Sequence, residues 1–166
     1  TPKRFVPCRV ARTKKPQRAM NPMQDRKTVL ILGAGRSSSS LIEEMIQRAP
    51  AGGWQVVVGD LDGDLAQRKC GGRPHARAFT LHSNDIAGRD AEIASADLVI
   101  SMVPAFLHPQ VAAAAIASGV PVLTPSYLSP EMLALDAAAK EKGVLVLNEL
   151  GLDPGIDHLS AVKRMS

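Results

Sequence analysis

The sequence predicts an α/β fold in which a parallel sheet is covered by helices on both faces. Three observations predict it. From Thr28 onward, short apolar runs alternate with longer amphipathic segments, the rhythm of strand–helix–strand units. The apolar runs are nearly unbroken, as strands buried on both faces are, rather than alternating in and out. Aromatic residues are 3% of a chain that is 45% hydrophobic, so the core must be aliphatic.

Taken in order, residues 28–32 are the first strand and 37–48 the first helix. Residues 54–59 are a second strand, 64–70 a short helix and 78–81 a third strand. Residues 85–95 read as helix and 97–103 as a fourth strand. An Ala-rich helix over 109–118 leads to a fifth strand at 120–124. Ser129 is an N-cap with Pro130 at the first helical position, and the helix they open runs to about Lys142. Gly143 stops it, and 144–147 is a sixth strand.

Residues 1–27 lack a hydrophobic period and contain Pro2, Pro7, Pro16 and Pro22. They read as a basic disordered tail or linker. Nine Lys and Arg stand there against Asp25, so the remainder is net acidic although the whole chain carries +4. The folded part therefore lacks the basic face that a phosphate backbone requires, and nucleic acid is not an expected partner. A solvated linker fits the tail best; a transit segment and a nucleic-acid-binding arm also fit its composition. No run of about 18 apolar residues occurs, so neither a membrane span nor a membrane partner is expected. Cys8 and Cys70 make neither a disulfide framework nor a metal motif, and His75 with His82 lacks ligand spacing, so no metal is expected. The cytoplasm is the expected compartment, with a mitochondrial one left open.

The stretch Leu30-Ile-Leu-Gly-Ala-Gly-Arg-Ser-Ser38 sets two glycines between a strand and a helix. Gly33 permits the tight turn, and Gly35 lets the backbone approach a pyrophosphate, whose charge sits at the helix N-terminus. Ser38 replaces the third glycine of the fingerprint and is small enough for close helix–strand packing. Asp60 ends the second strand, 25 residues after Gly35. A carboxylate there accepts from ribose hydroxyls and repels a 2′-phosphate. Strand, glycines and acid together specify a Rossmann-type dinucleotide site. NAD is favoured over NADP, with basic Arg36 keeping NADP open.

Later segments carry a resemblance. Ile100-Ser-Met-Val-Pro104 with His108, Thr124-Pro-Ser-Tyr-Leu-Ser-Pro-Glu-Met132, and Asn148-Glu-Leu-Gly-Leu-Asp-Pro-Gly-Ile-Asp-His158 resemble the saccharopine dehydrogenase family, in its glutamate-forming branch. Residues 151–158 are the most specific part. The resemblance implies oxidation of saccharopine with NAD(P), then hydrolysis of the imine to glutamate and 2-aminoadipate 6-semialdehyde. It also implies roles, position by position. Ala34, Gly35, Arg36 and Ser37 would lie at the pyrophosphate turn, beside Gly33. Asp60 and Leu61 would select the ribose. Met102 and Val103 would lie at the nicotinamide side. Ser126 and Tyr127 would touch substrate, Ser126 also the cofactor. Leu152 and Pro154 would reach the cofactor, with Asp153 between them facing substrate as the candidate catalytic residue. Its carboxylate would pair with the substrate's ammonium or move a proton. His108 and His158 read as ordinary loop and helix-start residues.

NADP-using fungal relatives carry Cys-Arg where this chain has Gly59-Asp60, which adds to the NAD expectation. His82 stands where relatives usually have Asp, and Pro125 where they often have Thr. Relatives also continue into a substrate domain. The resemblance therefore implies a tail over 1–27, a dinucleotide-binding domain over 28–150, and the start of a crossover over 151–166, with the sheet incomplete at the C-terminus. A homodimeric full-length form is left open. A non-catalytic dinucleotide-binding sensor and a related amine-forming dehydrogenase are the competing readings.

Overall fold

A computed structural model describes residues 26–82, 84–151, 153, 155 and 156. Six strands form one sheet, β1 (Lys27–Leu32), β2 (Trp54–Asp60), β3 (Ala76–Thr80), β4 (Leu98–Ser101), β5 (Val122–Leu123) and β6 (Val146–Leu147). Their order is β3-β2-β1-β4-β5-β6, and every neighbouring pair is parallel. The order reverses between β1 and β4. In such sheets the crevice for a ligand opens there, outside the carboxyl ends of the strands.

The helices are α1 (Ser39–Gly52), α2 (Gly63–Cys70), α3 (Ile86–Ser95), α4 (His108–Ser118), α5 (Pro130–Leu133) and α6 (Asp136–Lys142). Alternate residues of β1 face opposite layers. Val29 and Ile31 pack with Ile42 and Ile46 of α1 and Ala66 of α2. Leu30 and Leu32 pack with Ile93 of α3 and Val111 and Ala115 of α4. β1 is thus buried on both sides, which explains why its sequence shows no alternation.

The caps follow the sequence. Asp62 accepts from Leu65 N–H at 2.9 Å and Asp85 from Gly88 N–H at 2.8 Å. Ser129 accepts from Met132 N–H at 3.2 Å, with Pro130 in the first turn. Each such cap contributes about 1 kcal/mol.

Three expectations need correction. The helix predicted over 130–142 is two helices. Leu135 N–H bonds to Met132 O at 3.1 Å, a tighter one-turn closure that separates α5 from α6 while both still pack on α4. The fifth strand is shorter than 120–124. Val120 N–H closes the end of α4 on Ala115 O at 2.9 Å, and Pro121 has no N–H to give the ladder. The first helix runs past Pro50 to Gly52 before Gly53 caps it with φ 71°.

Candidate functional site

The turn after β1 is set by backbone contacts. Gly33 has φ +104°, and a Cβ there would stand 2.6 Å from Met102 O. Glycine is required twice, for its dihedral and for the approach of the β4 end. Gly33 N–H bonds to Gly59 O and Met102 N–H to Leu32 O, each at 2.7 Å, so the turn is sewn to β2 and to the end of β4. Gly35 is different: a side chain there would meet nothing within 4 Å. The space above it is open, as approach by a pyrophosphate requires. Ser38 is buried and its hydroxyl donates to Gly35 O at 3.0 Å.

Asp60 does more than end β2. Its Oδ2 accepts from Ala34 N–H at 2.5 Å and its Oδ1 from Asp62 N–H at 2.9 Å. A carboxylate offers about four lone-pair sites, so capacity remains for ribose hydroxyls. Lys69 of α2, unanticipated from the sequence, donates to Gly35 O at 2.6 Å and to Ser39 Oγ at 2.7 Å. Partial burial lowers its pKa, with nearby Asp60 opposing.

A cleft of about 570 Å³ opens over these residues. One end is lined by Asp60, Leu61, Leu81, His82 and Ile86, the middle by Gly33, Gly35 and Ser37, and the other end by Met102, Val103, Pro104 and Leu107. Leu61 is 64% exposed and Ile86 58%, apolar walls open to a flat ring. Of the cofactor residues expected from the sequence, seven line this cleft. Ala34 is buried beneath it and contributes its N–H to Asp60, and exposed Arg36 is not among the lining residues. Leu152 and Pro154 lie outside the described residues. Arg89 and Gln110 also line the cleft, Arg89 paired with Asp90 at 2.8 Å. Both sit in the first turn or so of α3 and α4; the Asp85 cap of α3 is the sequence signal that could have revealed Arg89.

Ser126, Tyr127 and Asp153 form a separate group beyond β5 and β6. Tyr127 O–H donates to Asp153 Oδ1 at 2.6 Å. Glu149 N–H bonds to Ser126 O at 3.0 Å, and Leu128 N–H to Glu149 Oε1 at 3.3 Å. Glu149 itself has φ +63°, the one non-glycine in the left-handed region among the described residues. Such a conformation costs about 1–3 kcal/mol and persists where surrounding bonds over-determine it.

His108 is not a loop residue. It opens α4 and is buried, with Nδ1 2.8 Å from Ser101 Oγ and Nε2 2.8 Å from Ser126 Oγ. Burial holds its pKa below the usual histidine value. The signal available in the sequence was Ser101, seven residues earlier at the end of an apolar run. Among the described residues no cluster of three or more His, Cys, Asp or Glu could hold a metal, and no helix is long and apolar enough to cross a membrane.

Residues 29–147 match the family model described as the saccharopine dehydrogenase NADP binding domain. An NADP(+), L-glutamate-forming saccharopine dehydrogenase of Pyricularia oryzae is 42% identical over 137 residues, covering 82% of this chain and 30% of the relative. The mitochondrial alpha-aminoadipic semialdehyde synthase of Bos taurus is 35% identical over 147 residues, 85% of this chain and 15% of the relative. Among solved structures, apo saccharopine dehydrogenase (L-Glu forming) from Saccharomyces cerevisiae superposes with a TM-score of 0.76 at 36% identity, covering 83% of this chain and 30% of that one. The chain thus spans less than a third of the length of these relatives. It belongs to the saccharopine dehydrogenase NADP-binding-domain family.

Proposed function

We propose that this chain is the nicotinamide-dinucleotide-binding portion of an L-glutamate-forming saccharopine dehydrogenase, acting in lysine metabolism. The observation that carries the reading is the single cleft running from Asp60 and Leu61, over the open face of Gly35, to Met102 and Val103. An adenosine, a pyrophosphate and a nicotinamide fit those three stations in that order. When bound, the nicotinamide supplies the acceptor for hydride from the substrate carbon. The residues of this chain orient and select. Asp60 receives ribose hydroxyls, and Ser126 and Tyr127 offer hydroxyls to substrate carboxylate. Asp153, bonded to Tyr127, stands ready to pair with the substrate amine or take its proton. In this reading residues 28–150 are the dinucleotide domain, 151–166 begin a crossover, and the compartment is cytoplasmic.

We infer a preference for NAD, against the NADP of the fungal relatives' names. The Asp60 carboxylate repels a 2′-phosphate, and the nearby Lys69 ammonium is engaged with Gly35 O and Ser39. Fluorescence titration of the chain with NADH and NADPH tests both steps. NADH should bind tighter; equal or reversed affinity removes the Asp60 argument, and failure of both to bind removes the cofactor reading.

A further inference from the structure

Two glycines shape the turn after β1, and they are held by different means. Gly33 is fixed by its contact with Met102 O. Gly35 has no such contact, since a Cβ there would meet nothing within 4 Å. Without a side chain, neither dihedral of a glycine is much restricted, so the peptide that follows it rotates easily. The openness that admits a ligand over Gly35 therefore comes with a carbonyl that must be held from elsewhere.

Three donors hold it. Lys69 Nζ donates to Gly35 O at 2.6 Å, Ser38 Oγ at 3.0 Å and Ser38 N–H at 3.3 Å. Ser38 is only three residues along the chain and travels with the turn. Lys69 is 34 residues away, on α2, and ties the carbonyl to a different element. An ammonium has three protons, and Lys69 uses a second on Ser39 Oγ at 2.7 Å, at the start of α1. α2 is a firm anchor. Asp62 caps its first turn, and Ala66 and Cys70 are buried with Val29, Ile31 and Val56 of β1 and β2. One charged group thus joins α2, the turn and α1, through hydrogen bonds about twice as strong as neutral ones.

The direction of the tie has a consequence for binding. Gly35 and Ser37 line the cleft, whereas Lys69 and Ser39 line a separate open groove between α1 and α2. The Gly35 oxygen is drawn to the groove side. A carbonyl oxygen is the negative end of the peptide dipole, and rotated into the cleft it would repel a pyrophosphate. We propose that Lys69 is a positioning residue for the dinucleotide: its ammonium keeps the Gly35 carbonyl turned to the α1–α2 groove and out of the pyrophosphate station. The ligand half of this inference rests on the dinucleotide reading of the cleft. The tie rests on the hydrogen bonds alone.

Two measurements on the chain test it, and the first needs no ligand. In ¹³C,¹⁵N-labelled protein the Gly35 carbonyl carbon, read through its link to the Arg36 nitrogen, should move upfield in Lys69→Met, which keeps the stem and removes the donors. Lys69→Arg, which restores a charged donor, should bring it most of the way back. A carbonyl signal that does not move in Lys69→Met overturns the proposal. In the second measurement, Lys69→Met should weaken NADH binding by about 10-fold, the worth of one charge-assisted hydrogen bond, and Lys69→Arg should regain most of the loss. Adenosine, which has no pyrophosphate, should bind Lys69→Met and the unsubstituted chain alike in a ligand-observed NMR titration. Equal losses for NADH and adenosine, or unchanged NADH affinity in Lys69→Met, overturn it. If the unsubstituted chain binds neither dinucleotide, the ligand half falls with the proposed function, and the carbonyl signal still decides the tie.

Discussion

The two ends of the site are built from different materials. Between β1, β2 and β4 the floor is mostly backbone: Gly33 against Met102 and Gly33 N–H on Gly59 O, with the Asp60 carboxylate holding Ala34 N–H. Beyond β5 and β6 the site is side chains: Tyr127 on Asp153, His108 between Ser101 and Ser126, Glu149 on Leu128 N–H. The backbone end tolerates almost no change of residue at its glycine and asks side-chain chemistry chiefly of Asp60. The side-chain end depends on hydrogen bonds between side chains. In the proposed function, a cofactor common to many reactions would be held by the first kind of structure and the substrate by the second.

The largest expected effect breaks the backbone end. Gly33→Ala combines a positive φ with a Cβ only 2.6 Å from a carbonyl oxygen, and should lower stability by about 3 kcal/mol or more in urea denaturation. A neutral result would falsify the claim that this turn is fixed by steric contact with β4. Next is Asp60→Arg, expected to shift the NADPH-to-NADH affinity ratio by at least about 10-fold, since it replaces repulsion of a 2′-phosphate with attraction. Asp60→Asn sharpens the point: it keeps an acceptor for Ala34 N–H, so it should lose cofactor discrimination while stability falls less than in Asp60→Arg.

At the side-chain end the expected effect is a pH dependence. His108 in the folded chain has a pKa depressed below its unfolded value of 6.5 by burial. Between the two values the unfolded chain binds more protons, so stability is complete above about 6.5 and declines as pH falls through that window. Thermal melts should show the decline, and His108→Gln should flatten it. A melt curve with the same slope in both would reassign the effect elsewhere. The smallest effect lies outside both regions. Arg77 and Glu92 form a two-pronged pair between β3 and α3, at 3.1 and 2.5 Å, with Arg77 exposed and Glu92 half-buried. Glu92→Gln should cost less than about 1 kcal/mol by denaturation.

The contrast also explains what could be read from the amino-acid sequence. Apolar runs and caps carry the sheet and its layers, because burial on both faces leaves an unbroken Val-Ile-Leu signature. The turn at Gly33 and the strand end at Asp60 were legible because a dihedral angle, a close approach and a strand end mark them. The break at Leu135 was not, because no glycine or proline marks it; it arises where α5 and α6 each settle on α4. His108 was misjudged for a similar reason. A histidine after a strand has no period, and its burial between Ser101 and Ser126 depends on a fold that brings β4 and β5 side by side. The pairing of Tyr127 with Asp153 was not derivable from spacing; resemblance alone set the two in the same neighbourhood.

The contact of Gly33 with Met102 has a mechanical consequence. It welds the turn after β1 to the end of β4, with no side chain between to cushion a shift. These two stations move as one piece. If the cleft widens to admit or release a dinucleotide, the compliance must come from the opposite bank, where Ile86 and Arg89 of α3 line it.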